Sequence, residues 1–468
     1  MNEPISSVSA SSGAIKTAPP RKFGFWVGLF VVVSSMVGAG ILTTSGFTLR
    51  DTGNPSALLA LWLIGGLMAL AGALTVAEMA TRLPRVGGDY LFIREAFGQQ
   101  VAFAAGLATF IVGFAGPSAV VALLALNYLL SPLQPFIRTW LPTAWADQSV
   151  PMAASLLLLL ITWAHGLGHV VSGRFQVIVT IVKLLVLLVL AALGLIFGQG
   201  HWSHMTGHWP RAEEWPLLAT GLIYVGYAYS GWNGSAYLAG EIRNPARLLP
   251  LTLIGGTLLV TLLYVLLNIT YIYALNPHAM MQMHPEQVEK VAELATALLF
   301  GQGTANLVSV LLGMSLIASV SAYMMIGPRV AYAMGCDRVF PSWLGQLHSR
   351  SHVPVRAIIA QGVLAIVMIW SGSFIQLLDF TSVGLAAVSG MLIASVFRLR
   401  RRADLPATFL MPLYPWPPLL YLSLVAWTIA AQVMQTQRRV PALLSLAVLL
   451  FCMLLARFIG RQRTNPSA

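Results

Sequence analysis

The sequence predicts an all-α integral membrane protein of twelve transmembrane helices, built as two inverted five-helix halves followed by two carboxy-terminal helices. Three observations carry this prediction. Hydrophobic residues make up 57% of the 468 residues and charged residues only 9%, whereas a soluble domain is about 25% charged. Mean hydropathy is +0.78, and apolar runs of the roughly 20 residues that cross a bilayer recur along the whole chain. Two of those runs are interrupted at corresponding places. The interruptions are Ser35-Met36-Val37-Gly38-Ala39-Gly40-Ile41 and Ala228-Tyr229-Ser230-Gly231-Trp232-Asn233-Gly234.

The spans fall, in order, at about 24–49, 56–81, 99–130, 151–171, 174–197, 215–240, 249–275, 304–334, 354–371, 374–397, 416–435 and 440–459. Residues 1–22 are rich in Ser, Ala and Pro and are expected to be a disordered cytoplasmic terminus. The apolar run after them is too long for a secretory signal and lacks a small-residue cleavage site. Residues 23–460 are expected to form the twelve-helix membrane domain, with 23–197 and 215–397 as its two repeats and 416–459 as helices eleven and twelve. Residues 461–468 are a cytoplasmic tail. Asn54-Pro55 and Asn244-Pro245 follow the two breaks, a weak echo between the halves because Asn-Pro is a common helix stop.

A formal charge of +12 invites a nucleic-acid reading, but the distribution of the charge answers it. Threading twelve spans with the amino terminus inside puts twenty of the 27 Lys and Arg on the cytoplasmic side and six outside, and leaves Lys183 within a span. This is the positive-inside bias, which expects both termini in the cytoplasm and the protein in the cell (inner) membrane. Cys336 and Cys452, both expected at the cytoplasmic side, exclude a disulfide framework. No polar stretch is long enough to build a separate soluble core.

Glycine and small polar residues interrupt a helix because they tolerate unusual backbone angles and pack poorly. At membrane depth such backbone must line a cavity or lie buried in protein. Paired broken helices in two halves are the best sequence pointer to a transporter's substrate site. The half-helix starting after Gly38-Ala39-Gly40 presents free N–H groups suited to a carboxylate. The half-helix ending near Ala228-Tyr229-Ser230 presents free carbonyls suited to an ammonium. A plainer reading is that Gly38 and Gly40 only permit close helix packing; two matching breaks favour the site. Lys183 lies about 13 Å along an apolar helix, where an ionisable group is a functional hypothesis by default. The alternative is that it snorkels to the interface.

The stretch Glu78-Met79-Ala80-Thr81-Arg82-Leu83-Pro84-Arg85-Val86-Gly87-Gly88-Asp89-Tyr90, ending in Ala96-Phe97-Gly98, resembles the first cytoplasmic loop of the amino acid–polyamine–organocation transporters. Gly38-Ala39-Gly40-Ile41, Gly231-Trp232-Asn233, Gly240-Glu241-Ile242-Arg243-Asn244-Pro245 and Gly327-Pro328-Arg329-Val330 are similar to the same family. Within it, the chain is most similar to the L-amino-acid-transporter-like and bacterial amino acid permease branches. The resemblance implies the inverted five-plus-five fold named after a bacterial leucine transporter. It implies a substrate carboxylate on Gly38, Ala39 and Gly40, and an ammonium on main-chain oxygens near Val37 and across Tyr227, Ala228, Tyr229 and Ser230. Tyr227 falls where the family places an aromatic gate. Lys183 matches a span-five lysine that stands in for the sodium ion of coupled relatives; it would bind carbonyls at Met36, Val37 or Gly38 and the Ser319 hydroxyl.

Gly231 belongs to the second break, and Asn233 is expected either to bond a polar substrate or to tie span six to its neighbours. Glu78 and Glu241 lie near cytoplasmic helix ends and Asp379 near the outer face, so no carboxylate is placed to pair a cationic side chain. The expected function is therefore sodium-independent secondary transport of neutral L-amino acids by alternating access, as an exchanger or with a proton as coupling partner. A cationic amino acid or polyamine antiporter is the alternative within carriers. A channel is the alternative from another class, disfavoured by the few polar residues at shared depth. Clustered catalytic residues are absent from the spans, so an enzyme is not expected. His201, His204 and His208, with Met280, Met281, Met283 and His284, lack the partners of a metal site; no metal and no cofactor are expected. The expected partners are an amino acid and the lipid bilayer, not nucleic acid, and the oligomeric state is left open. Glu286 to Leu299 reads as an amphipathic lid helix over the outer vestibule.

Overall fold

Helix dominates because every backbone polar group inside a bilayer must be satisfied within its own segment. The computed structural model describes residues 21–209, 211, 214–372, 374–435 and 439–464. Most of the expected terminus, residues 1–20, and the tail beyond 464 lie outside the described residues. Among the described residues no strand forms; the single parallel bridge pairs Phe23 with Ile242. Among the described residues ten helices are long and apolar enough to cross a membrane, as a multi-pass membrane protein requires. Two more expected runs form shorter apolar helices, Trp215–Ala228 and Val355–Ile369. The first is short because the chain leaves the helix at its glycine break.

Burial separates central helices from lipid-facing ones. The most apolar windows of Phe25–Thr52 and Gln99–Trp140 are each 83% buried, while that of Thr143–Gly166 is 22% buried. The first run, both of whose halves carry the glycine break, therefore sits at the centre of the bundle. Small residues let the spans approach closely there.

The third run departs from a regular helix. Its α-helix stops at Ala108, a π-helical turn covers Thr109–Ala115, and α-helix resumes at Gly116–Leu130. Pro117 has no N–H for the carbonyl of Gly113 and its ring crowds that turn, so the ladder widens locally. Ser118 Oγ donates to Phe114 O at 2.7 Å and satisfies a carbonyl there. The segment expected as a lid packs against the first run. Val288, Val291 and Ala292 are fully buried, and a Cβ on Gly46 would lie 2.3 Å from Val288 O.

Buried ion pairs tie one end of the bundle. Phe23 N donates to Glu241 O at 3.0 Å and Arg243 N to Phe23 O at 2.8 Å. The Glu241 carboxylate meets Arg329 at 2.6 Å. Glu78, fully buried, accepts from Arg82 at 2.8 Å and from Met411 N at 3.0 Å. Removing one partner of such a pair strands a buried charge, at a cost of about 3–5 kcal/mol.

Candidate functional site

The Phe25–Met36 helix ends because Val37 (φ −74°, ψ 86°) and Gly38 (φ −129°, ψ −146°) leave helical geometry, and a new helix starts at Ala39. The Trp215–Ala228 helix ends in turns that run into a 3₁₀ segment at Gly234–Leu238. Gly231 has φ 99°, and a Cβ there would sit 2.7 Å from the Ser35 carbonyl carbon. Only glycine satisfies both the angle and the contact. The two breaks therefore press against each other.

Side chains from other spans take the carbonyls that the first break releases. Tyr264 Oη donates to Met36 O at 2.6 Å and lies 2.9 Å from Ala228 O, joining both breaks. Tyr323 Oη donates to Ser35 O at 2.8 Å. Lys183 is fully buried, and its Nζ lies 2.5 Å from Val37 O, 2.6 Å from Ser319 Oγ and 3.4 Å from both Ser34 O and Ser34 Oγ. Ser319 Oγ also lies 2.7 Å from Val37 O. The lysine does not snorkel. Of the three carbonyls expected for it, Val37 is the one it meets; Met36 belongs to Tyr264.

The sequence-predicted residues do not all face the same space. A Cβ on Gly38 would make ordinary contact with Tyr323 Oη at 3.5 Å, Val121 at 3.6 Å and Ser319 Oγ at 3.8 Å. A Cβ on Gly40 would fall 2.3 Å from Ala228 Cα, so Gly40 is where spans one and six touch. Ala39, between them, is buried. Tyr227 is buried with no hydrogen-bond partner for its hydroxyl. Tyr229 turns away, with its ring 4.9 Å from Tyr264 and 5.7 Å from Trp62, and its hydroxyl on Trp62 O at 3.0 Å. Asn233 Nδ2 donates to Asp89 Oδ1 at 2.9 Å, tying span six to the loop after the second span.

Two small cavities flank the second break, each about 30 Å³, room for about two waters. Tyr227, Ser230, Ser382, Tyr421 and Thr428 line one. Asp89, Thr109, Ser230, Asn233 and Tyr237 line the other. Neither admits a whole amino acid.

Sequence reasoning missed Tyr264, Tyr323 and the role of Asp89. A lone Tyr within an apolar run is the available signal, since a phenol at that depth needs a partner. Asp89 was visible only as part of a motif.

The profile of the amino acid permease family matches residues 23–455. The chain is 27% identical to the serine/threonine exchanger of Bacillus subtilis over 86% of this chain and 88% of that one. It is 26% identical to the human large neutral amino acids transporter small subunit 2, covering 86% of this chain and 74% of the relative. It is also 26% identical to the human cystine/glutamate transporter, covering 86% and 78%. The chain is thus a transporter, not an enzyme, and it belongs to the amino acid permease family, among the amino acid–polyamine–organocation transporters.

Proposed function

We propose that this protein carries neutral L-amino acids across the cell membrane by sodium-independent exchange, alternating between two faces around the paired breaks. In this reading the twelve spans form the inverted five-plus-five arrangement with both termini in the cytoplasm. The carboxylate binds the N–H groups of Gly38, Ala39 and Gly40, which lack intrahelical acceptors at the start of their half-helix. Val37 O already meets two donors, which leaves the main-chain oxygens of Tyr227 to Ser230 as the ammonium's chief acceptors. Tyr227, with its spare hydroxyl, is the aromatic cover. Gly231 and Asn233 shape the floor of the site.

The observation that supports sodium independence is the Lys183 ammonium between Val37 O and Ser319 Oγ. A resident cation at that junction supplies the charge that a bound sodium ion would otherwise bring. Exchange is favoured over proton symport by the kinship with a serine/threonine exchanger. The test is uptake of labelled L-amino acids into proteoliposomes with choline replacing sodium. Saturable uptake stimulated by internal unlabelled substrate supports the reading. Uptake that requires sodium, or that needs no internal substrate, refutes the corresponding part.

A further inference from the structure

The buried and half-buried carboxylates at the cytoplasmic side share a pattern that one of them breaks. Glu78 meets Arg82 and Arg400, Glu241 meets Arg329, and Asp337 meets Arg94. Asp89 is 3% exposed, yet among the described residues only neutral groups hold it. Asn233 Nδ2 donates to Oδ1 at 2.9 Å, and the Tyr237 hydroxyl donates as well. A buried anion without a cation is costly, and ionisable groups in such settings cluster at functional sites.

The surroundings hold Asp89 in place. Gly88 has φ 50°, and a Cβ there would overlap the Tyr237 ring at 2.2 Å, so only glycine lets the loop press this close. The cavity beside Asp89 is about 30 Å³ and also meets Thr109, Ser230, Gly231 and Trp232. Thr109 lies in the π-helical turn, is 1% exposed, and its hydroxyl has no hydrogen-bond partner. The space therefore offers a carboxylate and an unused hydroxyl. Its volume suits a group the size of a water or an ammonium. Ser230, Gly231 and Trp232 join it to the second break.

We propose that this cavity is a cytoplasmic-side subsite for the substrate's ammonium, with the Asp89 carboxylate as its counter-charge and the Thr109 hydroxyl as a further acceptor. The inference rests on the proposed amino acid exchange. An ammonium leaving the span-six carbonyls loses its acceptors before it reaches water. Asp89 supplies the next favourable contact along that route and offsets part of the desolvation. Burial pushes the Asp89 carboxyl up to about 6, so it remains mostly ionised at neutral pH and able to bind a cation.

The test measures KM for one transported amino acid separately from the cytoplasmic and external sides, in vesicles of one protein orientation. Asp89→Asn keeps the shape and the contact to Asn233 but removes the charge. Its cytoplasmic KM should rise about tenfold while its external KM stays within about twofold; Asp89→Glu should recover part of the loss. Thr109→Val is the second variant, because removing an unpartnered buried hydroxyl leaves the fold intact. Its cytoplasmic KM should rise about two- to threefold. Equal changes on both sides, or none in either variant, overturn the subsite. If the Asp89→Asn effect vanishes when internal sodium and potassium are replaced by N-methylglucamine, the guest is an inorganic cation and the ammonium assignment falls. A wild type that exchanges no amino acid overturns the parent reading and the subsite with it. Wild-type exchange with unaltered sidedness in the variants overturns the subsite alone.

Discussion

Replacing Lys183 with Met removes the ammonium and keeps most of the side-chain volume, which makes it the sharpest probe of the first break. The ammonium has two short contacts, 2.5 Å to Val37 O and 2.6 Å to Ser319 Oγ. Charge-assisted hydrogen bonds contribute about 1.5–3 kcal/mol each. Against them stands the desolvation of a buried cation, several kcal/mol after relaxation. The two nearly cancel in stability. Ser319 Oγ can still donate to Val37 O across 2.7 Å, so the variant should fold with a thermal midpoint within a few degrees of wild type. Transport is a different matter, because the bridge joins spans one, five and eight at the point where the break must be held. With Ser319 Oγ still serving Val37 O, the net loss from the organised state is that of one such contact, about 1.5–3 kcal/mol, which lowers the rate about ten- to hundredfold. Binding at equilibrium should fall less, since a carrier biased toward one face still binds there. The assay is initial exchange rate in choline medium, paired with thermal unfolding of the purified variant. Wild-type rates in Lys183→Met, or a protein that unfolds before it can be assayed, would refute the reasoning.

Gly38 and Gly40 should separate cleanly. Gly38→Ala fits sterically but crowds the proposed carboxylate site, so affinity should drop with little change in stability, whereas Gly40→Ala forces spans one and six apart at a cost of about 1–3 kcal/mol, read as a lowered thermal midpoint. Tyr227→Ala should weaken affinity and shift side-chain preference in competition assays, and retained selectivity would remove it as the gate. N-acetylated amino acids should not compete for uptake, because acetylation removes the charge assigned to the span-six carbonyls in the proposed site. For Asp89, whose carboxyl sits at about 6 rather than the ordinary 3.8, the folded state favours the neutral acid. That contribution is complete below pH 3.8 and lost as pH rises through about 6, a difference on the order of 3 kcal/mol. Asp89→Asn should therefore unfold at a higher temperature than wild type at pH 7.5, with the gap closing toward pH 4; a gap independent of pH would contradict it.

The sequence by itself determined the membrane class, the order of the apolar runs, the places where two helices break, and Lys183 as an ion out of its usual setting. These are local properties. Apolar length decides partition into a bilayer, and glycine decides where a helix stops within a few residues. Tertiary structure decided which atoms meet. Tyr264 reaches Met36 across 228 positions and Ser319 reaches Val37 across 282, and no local pattern encodes such pairs. The same limit explains the two glycines of the first break: alike in sequence, one faces Ser319 and Tyr323 while the other abuts Ala228, because helix rotation against a neighbour sets the direction of each Cβ. The π-helical turn in span three was foreshadowed only by Pro117, since a proline marks that the ladder must give way but not whether it kinks or widens. Asp89 and Asn233, 144 positions apart, became one polar cluster only when the loop after span two folded under span six. Burying a carboxylate without a cation depends on what surrounds it in three dimensions, and that neighbourhood exists only in the folded bundle.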